Sequence, residues 1–145
     1  MAPDMIIERH ALYAAGGGLI PIPIIDLVSI STVQYKMIKK LAEQYDHVSF
    51  DSTRAQSFIA AFMGGVSSFE LGIFSRILFK GIPIFGSLIG GAVTASFAYY
   101  STKAIGDLFD DHFRSGGDMS IEERTFERMK SQFNWLVRDK KKKTA

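Results

Sequence analysis

The chain has no cysteine. Disulfides, thiolate metal sites and cysteine nucleophiles are excluded together, and the compartment is left open. A basic N-terminal run is also missing: the first ten residues hold Asp4, Glu8 and only Arg9, followed by His10. A secretory signal needs a basic start, so none is expected. Sustained apolar/polar alternation is absent, which argues against strands. A strong excess of one charge is absent too. The formal net charge is +2 over 145 residues, and a dedicated nucleic-acid binder is not expected from it. The most telling absence is local. No charged residue occurs from Ala11 to Ile25, from Ala55 to Phe69, or across the 22 residues from Gly81 to Thr102.

Signatures of chemistry are missing as well. Gly16-Gly17-Gly18-Leu19-Ile20 has no lysine after a second glycine, and Thr102-Lys103 lacks the preceding glycines of a phosphate-cradling loop. The three histidines, His10, His47 and His112, are scattered. Asp110-Asp111-His112 hints at a metal, but adjacent residues on a helix point in different directions. Nothing pairs a nucleophile with a base and an orienting group. The chain is expected to be no enzyme, with no cofactor and no metal.

What is present reads as all-α, with about five helices. Asp4 is expected to cap a first helix reaching Ala15. Pro21 and Pro23 then break the chain, and a second helix runs from about Ile24 to Tyr45. Asp51 or Ser52 caps a third, extending to about Lys80. After Gly81-Ile82-Pro83, a fourth runs from about Ile84 to Phe113. Ser115-Gly116-Gly117-Asp118 is a loop, and Ser120 with Glu123 forms a capping box for a fifth helix ending near Asp139. Residues 1–117 form one domain, and 118–145 an amphipathic helix with a polybasic tail. Ile20-Pro21-Ile22 and Ile82-Pro83-Ile84 sit in comparable apolar settings. Lys39, Glu43 and Tyr45 after the first resemble Lys103, Asp107 and Phe109 after the second, with a two-residue slip in register. Two apolar helical hairpins with Ile-Pro tips at Pro21, Pro23 and Pro83 would explain this weak repeat. Chance similarity between apolar helices is the competing reading.

The uncharged stretch after Lys80 has the length of a membrane span, about 20 residues, but contains Pro83, Gly86, Gly90 and Gly91. The first stretch ends at Asp26, which at a helix centre would cost roughly 2.5–3.5 kcal/mol. Six lysines or arginines lie between the two stretches and ten follow Thr102. The positive-inside rule wants both regions in the cytoplasm. Two re-entrant hairpins meet that demand and a single crossing does not. A two-pass topology and a wholly soluble bundle are the alternatives.

Several residues, in order, resemble the bacterial YcjF-like family of unknown function: His10-Ala11, Ile20-Pro21-Ile22-Pro23, Asp26, Gln34 with Met37, Ala42 with Tyr45, Gly81-Ile82-Pro83, the 86–102 segment, Lys103-Ala104-Ile105-Gly106 and Phe113. The likeness covers roughly residues 5–115. It implies inner-membrane association and a GTPase partner in trans. It transfers no catalytic residue, and the chain lacks the nucleotide-binding domain of the fused members.

Four further groups stand out. Asp26, Ser29 and Thr32 draw a polar line on an apolar helix. An acid at membrane depth is a functional candidate, whereas an acid just after Pro23 also suits a helix N-terminus. Gly86, Gly90, Thr94, Ala98 and Thr102 recur every four residues, a small-residue line that admits a neighbouring helix within the monomer or from another subunit. Phe126, Met129, Phe133 and Leu136 form an apolar stripe for the core or for a partner. Lys140, Lys141, Lys142 and Lys143 suit an anionic leaflet or a solvated tail. The expectation is a non-enzymatic, oligomer-forming protein of the bacterial inner membrane, with cytoplasmic termini, that contacts lipid and scaffolds a partner. A pore or transport component and a soluble helical adaptor are the alternatives.

Overall fold

A computed structural model describes the backbone of residues 1–17, 23–63 and 85–144, and the side chains of 1–16, 29–63 and 95–139. The fold is all-α. Helix α1 spans Pro3–Gly17, α2 Pro23–Ala42, α4 Phe85–Arg114 and α5 Glu123–Thr144. Between α2 and α4 lies α3, whose described part covers 52–63.

The helix ends follow local chemistry. Pro3 opens α1 and Pro23 opens α2, positions where a missing N–H costs nothing and a fixed φ helps. Asp4 does not cap α1. It lies inside the first turn, where its charge suits the helix dipole, while the Ala2 carbonyl accepts from the Met5 and Ile6 amides. Asp51, rather than Ser52, caps α3: its Oδ1 accepts from the Arg54 amide at 3.0 Å. Helix α4 ends in a Schellman turn. The Gly117 amide donates to the His112 carbonyl and the Gly116 amide to the Phe113 carbonyl, each at 3.0 Å. Gly116 takes the left-handed φ of 91° that this turn requires. The expected capping box of α5 does not form. The Ser120 amide donates to Asp118 Oδ1 at 2.7 Å, which holds 118–120 in a turn. The helix starts at Glu123 and runs to Thr144, past the expected end at Asp139.

Helix α4 is the centre of the bundle. Against α1 it runs antiparallel: Ile7 meets Gly106, and Glu8 reaches Tyr99 and Lys103. Against α2 it runs parallel, since Gln34 bonds Thr102 and Tyr45 bonds Asp110. Helix α3 is antiparallel to it, with Phe58 and Phe62 on Phe109 and Arg54 donating to the Met119 carbonyl. Helix α5 follows the direction of α3: Phe126 packs on Phe58 and Phe62, and Phe133 on Phe62 at 5.2 Å between centroids. Consequently the C-terminal ends of α1, α3 and α5 and the N-terminal ends of α2 and α4 lie at one end of the bundle. The segments that join α1 to α2 and α3 to α4, with Pro21 and Pro83, lie outside the described residues.

The core draws on all five helices, with Ile6, Ile7, Ile30, Met37, Ile38, Leu41, Phe62, Ile105, Phe109, Phe113 and Phe133 fully buried. Gly106 lies at a close crossing within it. A β-carbon there would sit 2.8 Å from Ile7 Cγ1 and Cγ2 and 3.0 Å from Met37 Sδ. Three helices therefore approach at a site that admits only hydrogen. Gly106→Ala gains about 1 kcal/mol of helix propensity but overpacks the crossing at a cost of about 1–3 kcal/mol. We expect a net loss of stability in urea denaturation, a larger loss for Gly106→Val, and partial recovery when Ile7→Ala is added to Gly106→Ala. Equal midpoints for wild type and Gly106→Val would show that the crossing is not tight.

Candidate functional site: a polar seam, a charged end and the outer face of the last helix

Polar groups inside the bundle fall in three places. The first is a seam between α2 and α4. Gln34, fully buried, donates from Nε2 to Thr102 Oγ1 at 3.3 Å and approaches Met63 Sδ at 3.5 Å. Its Oε1 meets no partner among the described residues, which costs on the order of 1–3 kcal/mol. Ser101, also buried, returns its hydroxyl to the Ala98 carbonyl. Ala98 and Thr102 belong to the small-residue line, and both are fully buried within the chain itself. At this end the line serves the monomer. Gly86, Gly90 and Thr94 lie on the backbone of α4, but their side-chain positions lie outside the described residues.

The second place is the end of the bundle where α2 and α4 terminate. Asp110 is buried, accepts from the Tyr45 hydroxyl at 2.5 Å and is paired with Arg114. Burial, and then the Asp110 hydrogen bond, push the Tyr45 phenol up. His47 and His112 fasten the 117–118 turn from two sides, through the Gly117 and Asp118 carbonyls at 3.1 and 2.9 Å. Asp110 thus points to Tyr45 and Arg114 while His112 points to the loop. The Asp110-Asp111-His112 run does not converge, and no group of three metal-binding side chains occurs among the described residues.

The third place joins α1 to α4. Glu8 accepts from the Tyr99 hydroxyl at 2.8 Å and pairs with Lys103 at 3.6 Å. Its carboxylate, followed by desolvation, pushes the Tyr99 phenol up to about 12. His10, buried on α1, contacts the Ile6 carbonyl through Nδ1 at 2.7 Å. Apart from Gln34 Oε1, these buried polar side chains have partners within the chain, and among the described residues none of them forms a nucleophile–base arrangement.

The remaining sequence-derived candidates divide. Met129 and Phe133 are buried against the chain's own α3 and α4, with Phe126 and Leu136 packed beside them. Of the two uses open to the stripe, core or partner, these contacts are those of the core: α5 needs that face to stay on the bundle. Ser29 is half-buried and Thr32 exposed, whereas the side chain of Asp26 lies outside the described residues. So do those of Pro23 and of Lys140 to Lys143, although Pro23 opens α2 and the lysines occupy the last turns of α5. Among the described residues no helix is long and apolar enough to cross a membrane. Trp135, offset from the 126–129–133–136 register, is 64% exposed, the most exposed large apolar side chain among the described residues.

The fold is that of an all-α helical bundle. Comparison with known proteins adds one likeness. The chain is 30% identical over 120 residues to magnetosome membrane protein 22 of the bacterium Magnetospirillum gryphiswaldense, an alignment covering 82% of this chain and 61% of that protein. The chain thus spans less than two thirds of the length of that relative. No protein-family model and no solved structure matches it, so the YcjF-like resemblance stands on the residues named above alone.

His10 gives this part of the molecule a pH test. Burial lowers its pKa below the ordinary 6.5, against the opposing hydrogen bond to Ile6. The unfolded chain takes up a proton near 6.5 and the folded chain only at lower pH. Stability is therefore full above 6.5 and falls as pH drops from 6.5 towards the lowered value. His10→Gln should flatten stability against pH in that window when denaturation midpoints are compared. An unchanged slope would assign the effect elsewhere.

Proposed function

We propose that the chain is a non-enzymatic, membrane-associated protein of the bacterial inner membrane that assembles into oligomers and scaffolds a partner. A GTPase in trans is the class of partner that the YcjF-like resemblance implies. The observation that carries this reading is a convergence. The described helix ends leading into the three uncharged stretches, 11–25, 55–69 and 81–102, all lie at one end of the bundle. Asp110, Arg114, His47 and His112 lie at the other. Helix ends that lead into uncharged sequence at one end of the bundle suit a bilayer, and the charged end suits water and a partner. Similarity to a bacterial membrane protein supports the same reading. Entry and exit on one face agree with lysines and arginines on both sides of the uncharged stretches.

Carbonate-washed membranes should retain the full-length protein, and its complete release would sink membrane integration. Because the chain has no cysteine, Ser49→Cys and Thr144→Cys report topology without background. Both should resist an impermeant thiol reagent in intact cells and react after lysis. Labelling of one alone from outside would rule out the re-entrant arrangement.

Oligomer formation is tested at Gly90, in the part of the small-residue line nearer the uncharged end. Close van der Waals contact must supply most of helix association in lipid. Gly90→Leu should reduce particle size in detergent with helicity retained, while Leu88→Ile leaves it unchanged. Unaltered size and stability for Gly90→Leu would leave this face meeting only lipid.

A further inference from the structure

Charge is divided unevenly along the chain. From Arg128 onward there are seven basic residues, Arg128, Lys130, Arg138 and Lys140 to Lys143, against the single acid Asp139. With a total of only +2, everything before Arg128 is net acidic. The acids concentrate at the charged end: Asp4, Asp110 and Asp111 all lie near Asp107, whose carboxyl is raised by desolvation first and by these neighbours next, against Lys103.

Helix α5 carries its basic part towards the opposite end. Phe133 packs on Phe62, the neighbour in sequence of Met63, which lies at Gln34 beside Thr102. Thr102 is the last residue of the longest uncharged stretch. Lys140 lies seven residues beyond Phe133 on a continuous helix, about 10 Å further along the axis. The lysines therefore lie about 10 Å past the border at which α4 loses its charge, at the level of its uncharged part. On the outer face of α5, opposite Met129 and Phe133, Arg124, Arg128, Trp135 and Arg138 are exposed at helical spacing. Glu127 beside them is paired with Lys130.

We propose that the C-terminal half of α5, with Trp135, Arg138 and Lys140 to Lys143, is the contact of this protein with anionic phospholipid headgroups. The contact orients the bundle with its uncharged end to the bilayer and its acidic end away. It rests on the membrane-associated reading above. An indole beside cationic side chains fits the headgroup layer, where one edge is apolar and the other wet. Lysines near an anionic leaflet add attraction that salt screens. The two signs of charge on opposite ends align the molecule before contact.

Trp135 is the only tryptophan, so intrinsic fluorescence reports on this helix alone. Full-length protein is mixed with phosphatidylglycerol-rich vesicles or with pure phosphatidylcholine vesicles. The expected result is a blue shift of Trp135 emission and protection from iodide on the anionic vesicles, both reduced by high salt. Replacing Lys140 to Lys143 by glutamine should weaken binding to anionic vesicles on the order of 100-fold or more, from about 1 kcal/mol per lysine. Far-UV circular dichroism checks that the variant keeps its helices. If the protein floats with vesicles but Trp135 emission stays unshifted and the glutamine variant binds as well, another part makes the contact. This proposal then fails while membrane association stands. Absence of flotation with either vesicle overturns both. A blue shift that grows with protein concentration without lipid would assign the face to a second copy of the chain and overturn the lipid assignment.

Discussion

The crossing at Gly106 sets the spacing on which the rest of the bundle depends. Ile7 of α1 and Met37 of α2 both press on the one position of α4 that offers them no side chain. The remaining contacts between these helices fall into register around it: Ile6, Ile38, Leu41 and Ile105 are fully buried nearby. Close packing of this kind tolerates little change in volume, because interiors are filled to crystal-like density. It also explains why polar groups in the same seam, such as Gln34 with Thr102, must find partners within the bundle or remain unpaired.

On the other side of α4 the packing is aromatic. Phe62 stands among Phe109, Phe126 and Phe133, and rings in such tilted and edge-on contacts contribute beyond their buried area. This cluster fixes α5 to α3 and α4, and with it the direction in which the basic tail leaves. The apolar stripe of α5 is thereby used inside the chain. What α5 offers outward is the face of Arg124, Arg128, Trp135 and Arg138. One amphipathic helix thus links core stability to the placement of charge at the end of the bundle where the described parts of α2 and α4 begin.

Much of the fold was legible in the sequence, because helix signals are local. Pro23, Asp51 and the Gly116-Gly117 pair act within one turn of themselves, and α2, α3 and α4 start or stop close to where these residues place them. Helix α5 starts two residues later than a Ser120 cap would place it. Asp118 captured the Ser120 amide, and a two-residue turn competes with a capping box on the same local scale. The small-residue line left packing within the monomer and between subunits both open, since periodicity reveals a close approach but not whose helix makes it; Ala98 and Thr102 are buried within the chain.

By itself, the sequence determined the all-α class, most helix boundaries, the uncharged stretches and the excess of positive charge after Arg128. These are properties of short windows of chain, set by propensity, capping and composition. Only the tertiary structure decided that α2 and α4 run parallel and that Met129 and Phe133 face inward while Trp135 faces out. It also decided that Asp110 turns to Tyr45 rather than to His112. Those outcomes depend on contacts between residues 29 to 71 positions apart, such as Gln34 with Met63 and Phe62 with Phe133. No local preference specifies such pairs; they follow from the volume and shape that all the helices must share.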